Sequence, residues 1–192
     1  MMNALKYRKR EVLMIIFIFL FAIITTKYIY NKFNDSSNVN YNTDTLDVTF
    51  HEKSGADVNI LKVTPVTDSV GLSSKAYKFT IKNNTNSSIK YSINLKQNDE
   101  LIKKDNCLES QIPTNIVRFS IHKNDEKNNI YTVSDLVNGH ILSRIIKANK
   151  SEEYTIRFWT VNNNAIPTGA KLHYHSTIDV VDEGVEIAAV VK

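Results

Sequence analysis

The sequence predicts a mainly β protein, an antiparallel β-sandwich of immunoglobulin-like or jelly-roll type preceded by one N-terminal transmembrane α-helix. Three observations carry that reading. Val12 to Thr26 run for fifteen residues without a charge, and from Leu46 onward apolar residues recur with period two in one segment after another. Turn-forming residues then punctuate the chain at short intervals, with almost no helical periodicity between them.

The apolar run reads as a signal-anchor. Extended to Tyr30, a helix from Val12 would cover about 28 Å at 1.5 Å per residue, against a hydrocarbon core of about 30 Å. Lys27 can lay its stem along the helix, and Tyr28 and Tyr30 suit the interfacial belt. No pair of small residues resembling a signal-peptidase site follows Ala22, so the segment is expected to be retained. Lys6, Arg8, Lys9 and Arg10 precede it with only Glu11 against them, which keeps residues 1–11 in the cytoplasm and the remainder outside. The expected organisation is a basic flank (1–11), an anchor in the lipid bilayer (12–30), a polar flexible stalk (31–45) and an extracytoplasmic β domain (46–192).

Within the domain, Leu46, Val48 and Phe50 alternate with Asp47, Thr49 and His51, as a half-buried strand requires. Val58 to Val63 and Val66 to Val70 are weaker strand candidates around Pro65. In Lys75 to Lys96, Tyr77, Phe79 and Ile81 alternate with polar residues, then Ile89, Tyr91, Ile93 and Leu95 do the same across the polar link Asn83 to Ser88. That pattern predicts a hairpin with one buried and one wet face. Asn98 to Gln111 has no period and reads as loop with room for a helical turn. Further strands are expected at Ile116 to His122, Ile130 to Val133, Ile141 to Ala148, Ser151 to Val161 and Lys171 to Val181. A last strand, Val185 to Val191, is expected after an Asp182-Glu183-Gly184 turn.

Charge and cysteine content narrow the function classes. The net charge is +4, but residues 1–32 hold six Lys/Arg and one acid, a local +5 that leaves −1 for the rest. The basic balance belongs to the anchor, so no nucleic-acid partner is expected. Cys107 is the single cysteine; no internal disulfide can form, and beside Leu108 it reads as a small buried hydrophobe. Asn34, Asn83, Asn86 and Asn149 stand in Asn-x-Ser/Thr sequons.

The stretches FTIKNNTNSSIKYSINL (Phe79 to Leu95), IVRFSI (Ile116 to Ile121) and IIKANKSEEYTIRFW (Ile145 to Trp159) resemble small anchored proteins of low-GC Gram-positive bacteria. More distantly they are similar to the TasA/camelysin family of exported β-sandwich proteins. Resemblance to TasA implies a matrix- or fibre-forming surface protein, and camelysin carries a protease label. No catalytic residue of either transfers to a position in this chain.

The residues themselves offer one candidate site. His173 and His175 lie two apart on a predicted strand and so share a face, where two imidazoles could hold Zn²⁺ or Cu²⁺ with a third ligand from Asp179, His122, His140 or Glu186. The plainer alternative is an exposed polar face. No His-Glu-x-x-His, no Gly-x-Ser-x-Gly and no glycine-rich phosphate loop occurs, so no catalytic or cofactor-binding residue is expected. Trp159 and Arg157 read as a stacked pair on the sheet surface. The expected function is non-enzymatic: a single-pass surface protein displaying its sandwich for protein contact, adhesion or assembly, with self-association or a partner strand at the sheet edges. The alternatives are a virion structural membrane protein and a metal-dependent surface enzyme using His173 and His175.

Overall fold

The computed structural model describes residues 14, 15, 17–21, 23, 25, 39–42, 45–124, 126–163 and 166–185. They fall in two units, 1–36 and 37–192. In the first, Met14, Ile15, Phe17 to Phe21, Ile23 and Thr25 are helical, and their large apolar side chains are exposed. Among the described residues no helix is long and apolar enough to cross a membrane, and most of the expected anchor's ends lie outside them.

The second unit is mainly β, with two antiparallel sheets consistent with a β-sandwich. Its strands are β1 (Val39–Asn42), β2 (Leu46–Phe50), β3 (Asp57–Ile60), β4 (Ala76–Asn83), β5 (Ile89–Gln97), β6 (Val117–Lys123), β7 (Asn129–Thr132), β8 (His140–Ile146), β9 (Ser151–Thr160) and β10 (Tyr174–Val185). Two short helices, α1 (Asp68–Gly71) and α2 (Asp99–Lys104), join them. One sheet has the order β1-β2-β4-β9-β6-β7 and the other β3-β10-β5-β8. The alternating apolar residues form the core: Phe79 stacks on Phe50 and Tyr154, and Phe119 on Phe158 and Tyr131, with Tyr91, Ile93 and Ile178 supplied by the second sheet.

Five expectations change. The segment from Lys75 to Lys96 is not a hairpin: β4 pairs with β2 and β9, whereas β5 pairs with β10 and β8, so the link between them crosses from one sheet to the other. Alternation fixes which face of a strand is buried but not which strand it pairs with. Asn83 makes the corner. It is fully buried, donating to the carbonyls of Ser87, Ile146 and Lys147, while its Oδ1 accepts from the backbone and hydroxyl of Thr85. The amide of this sequon is therefore engaged within the fold.

Val66 to Val70 gives a bridge at Pro65 and then α1 rather than a strand. Tertiary contact overrides the β-branched composition, because Asp68 accepts from Trp159 Nε1 at 3.1 Å and from Arg118 at 2.5 Å. Trp159 is accordingly buried under α1 and not stacked with Arg157, whose guanidinium donates to the Ser74 carbonyl. The Asp182-Glu183-Gly184 turn is instead a bulge within a continuous β10, where the register against β5 shifts and Gly184 takes φ +104°. Lastly, Val39–Asn42, inside the segment read as stalk, pair with β2 as β1. The expected strand Val185 to Val191 lies outside the described residues beyond Val185.

Candidate metal centre

On the outer face of the second sheet, α2 and the turn that ends it cover the start of β10. The helix begins at Asn98, whose Oδ1 accepts from Leu101 N–H while its Nδ2 donates to Asp57 and Thr177 on the sheet beneath. Ile102 points down and is buried. The helix ends in a Schellman turn: Asn106 adopts φ +52°, its N–H reaches the Lys103 carbonyl, and the Cys107 N–H reaches that of Ile102 at 2.9 Å. This left-handed asparagine turns Cys107 back toward the sheet. The chain is then zipped to the segment leading into β10, with His173 N–H donating to Ser110 and Ile112 N–H donating to His173, each at 2.7 Å.

The result brings together side chains that lie 66 and 68 residues apart. Cys107 Sγ is 2.6 Å from His173 Nδ1 and 3.6 Å from His175 Nε2. One ligand atom from each of the three lies within 4.8 Å of the others. Asp105, the last residue before the Schellman asparagine, places Oδ2 3.6 Å from His175 Nε2. The rings of His173 and His175 stand nearly perpendicular, at 87°.

The sequence-level expectation of an exposed polar face is corrected here. His175 is 2 % exposed and Cys107 fully buried. His173 is half-buried, and Asp105 faces solvent. Of the expected third ligands, the three among the described residues are not the partners. Asp179 pairs with Lys96 at 2.6 Å, His140 faces Asn94, and His122 bonds the Asn124 carbonyl in the other sheet; Glu186 lies outside the described residues. Cys107 takes that place. It is buried, as expected, but against two imidazoles.

The electrostatics keep His175 neutral, with a lone pair free for a metal, and keep Cys107 protonated until a cation displaces the proton. His175 Nδ1 lies 2.6 Å from Asn59 Oδ1, an acceptor, so the ring proton sits on Nδ1 and the Nε2 lone pair faces Cys107. Burial holds the His175 imidazole below its ordinary range, with the Asp105 charge opposing, so the ring is neutral near pH 7. Burial, aided by the Asp105 charge, pushes the Cys107 thiol up. A divalent cation would displace that proton and leave a thiolate, as metal binding to cysteine requires. The thiol also faces the Asp105 carbonyl oxygen, at 3.2 Å.

A cleft of about 410 Å³ on the opposite sheet edge is lined by Lys123, Glu126, Arg144 and Tyr154, but its Arg144 is clamped by both oxygens of Glu126 at 3.0 and 2.6 Å. Comparison with protein-family models, curated proteins and solved structures finds no match for this chain.

Proposed function

We propose that this chain is a non-enzymatic, membrane-anchored protein whose extracytoplasmic domain, a sandwich of the immunoglobulin-like or jelly-roll type, holds a divalent transition-metal ion through Cys107, His173 and His175. The single observation behind this reading is the convergence of one thiol and two imidazole nitrogens within 4.8 Å, from parts of the chain far apart in sequence. Thiolate and imidazole are donors that suit zinc and copper, whereas calcium and magnesium prefer oxygen. The apolar run Val12 to Thr26 and its basic flank support the anchor and its orientation.

The test is metal analysis of the full-length protein purified from membranes in detergent. One equivalent of zinc or copper per chain is expected, lost in Cys107→Ser and in His173→Gln/His175→Gln. A wild-type protein that takes up no stoichiometric metal after exposure to either ion would refute the reading.

Contact with other proteins is assigned to the sheet edges. Among the described residues β8 pairs only with β5, and it carries the half-exposed Ile145. Ile145→Lys should therefore weaken self-association on sizing of the detergent-solubilised chain; unchanged assembly would remove β8 from consideration.

A further inference from the structure

The three-residue cluster leaves open whether the ion would keep a free position for chemistry or be enclosed. We propose that Asp105 is the fourth ligand, so that the site is a closed tetrahedral zinc centre; this rests on the metal-binding reading above.

Ligand spacing carries the inference. With zinc–nitrogen and zinc–oxygen bonds near 2.0–2.2 Å and zinc–sulfur near 2.3 Å, a tetrahedron has edges of about 3.4 Å between nitrogen and oxygen and about 3.6 Å between sulfur and nitrogen. The protein places His175 Nε2 3.6 Å from Asp105 Oδ2 and 3.6 Å from Cys107 Sγ. Both separations are edges of such a tetrahedron. A further edge, 2.6 Å between Cys107 Sγ and His173 Nδ1, is shorter and on binding opens by about 1 Å to reach the same figure, while the Asp105 side chain, which stands outside the set of three whose ligand atoms lie within 4.8 Å of one another, swings in to complete the tetrahedron. His173 is half-buried and stands at the head of β10, where that displacement is small and local.

Three features of the chain point the same way. Asp105 and Cys107 flank the left-handed Asn106, so one turn delivers two ligands. Asn59 fixes His175 with Nε2 toward the cluster, the outer-shell support that metal-bound histidines use. Asp105 has no Lys or Arg partner among the described residues and meets only the neutral His175 ring, whereas Asp179 is held by Lys96 and Glu126 by Arg144. A donor set of one thiolate, two imidazoles and one carboxylate is a zinc set, and four protein ligands leave no position for an activated water. The site therefore holds metal and does not hydrolyse.

The experiment compares the full-length wild type with Asp105→Asn and with Asp99→Asn, an exposed acid of the same helix that accepts from Gln97. Zinc affinity is read by competition with a chromophoric chelator, and the coordination by the visible spectrum of the cobalt(II) form. Asp105→Asn keeps the turn and is expected to lower zinc affinity by more than the roughly ten- to hundredfold that loss of an outer-shell partner costs, to retain the thiolate-to-cobalt band, and to weaken the tetrahedral ligand-field bands. Asp99→Asn should match wild type. Wild-type binding with an Asp105→Asn protein of equal affinity and identical cobalt spectrum would overturn the fourth ligand alone. Absence of zinc binding by the wild type would overturn the fourth ligand together with the reading on which it rests.

Discussion

The hydroxyls of Tyr91 and Tyr154 meet at 2.5 Å, one from each sheet, and both reach the same carboxylate oxygen of Glu152. Lys123 closes the group at 3.2 Å from the other oxygen. Two tyrosines, a glutamate and a lysine thus cross-link the sheets, and the rings supply core while the polar ends satisfy one another.

Burial pushes both phenols well above their ordinary range, and pushes Tyr174 up to about 12. An unfolded tyrosine titrates near pH 10. The folded state thus favours the neutral phenols, and their contribution is fully present below about pH 10 and is lost as pH rises toward the folded values. The urea midpoint should be flat with respect to these groups from neutrality to about pH 9 and fall steeply above 10. In Tyr91→Phe the fall should be shallower by about one proton. Equal slopes in the two proteins would show that Tyr91 ionises freely in the fold.

Asn83 is the corner that sends β5 to the second sheet, and its substitution tests that role. Asn83→Ala strands the buried Ile146 carbonyl and removes the donor to the part-buried carbonyls of Ser87 and Lys147, and should cost about 1–3 kcal/mol in chemical denaturation. Asn83→Asp should be at least as damaging, because a carboxylate cannot donate and would face those oxygens. A loss below about 1 kcal/mol in both would contradict the account of the corner.

Gly71 lies against the indole of Trp159, where an added Cβ would fall 2.3 Å from a ring carbon. Gly71→Ala must lift α1 off the sheet and weaken the Trp159 to Asp68 bond, at about 1–3 kcal/mol. Trp159 is the sole tryptophan, so its fluorescence reports the change directly. A red shift with reduced stability is expected. An unchanged spectrum would mean that α1 does not cover the ring.

Much of the β architecture was legible because period-two alternation is a local signal. Leu46 to Phe50 shows its buried face in the sequence, whereas in Ser151 to Thr160 and Tyr174 to Val180 the apolar face is buried as expected but Thr155, Trp159 and His175 of the opposite face are buried as well. Pairing was not legible, since the Phe79 and Tyr91 segments satisfy a hairpin and a sheet-to-sheet crossing equally well until Asn83 is seen buried. The candidate site was half legible. His173 and His175 announce themselves by spacing, but Cys107 is 66 residues from His173 and carries no ligand spacing of its own. The available clue was local: an Asn98 cap, a short helix and then Asp-Asn-Cys, where the asparagine suits a left-handed helix end and marks a turn that points its neighbours back.

The most direct measurement of the central claim is zinc K-edge X-ray absorption on the full-length protein loaded with one equivalent of zinc. One sulfur scatterer near 2.3 Å should accompany nitrogen and oxygen scatterers near 2.0 Å, with the outer-shell signature of two imidazoles. In Cys107→Ser the sulfur contribution should vanish. A first shell made only of oxygen and nitrogen in the wild type would contradict the site built from Cys107, His173 and His175.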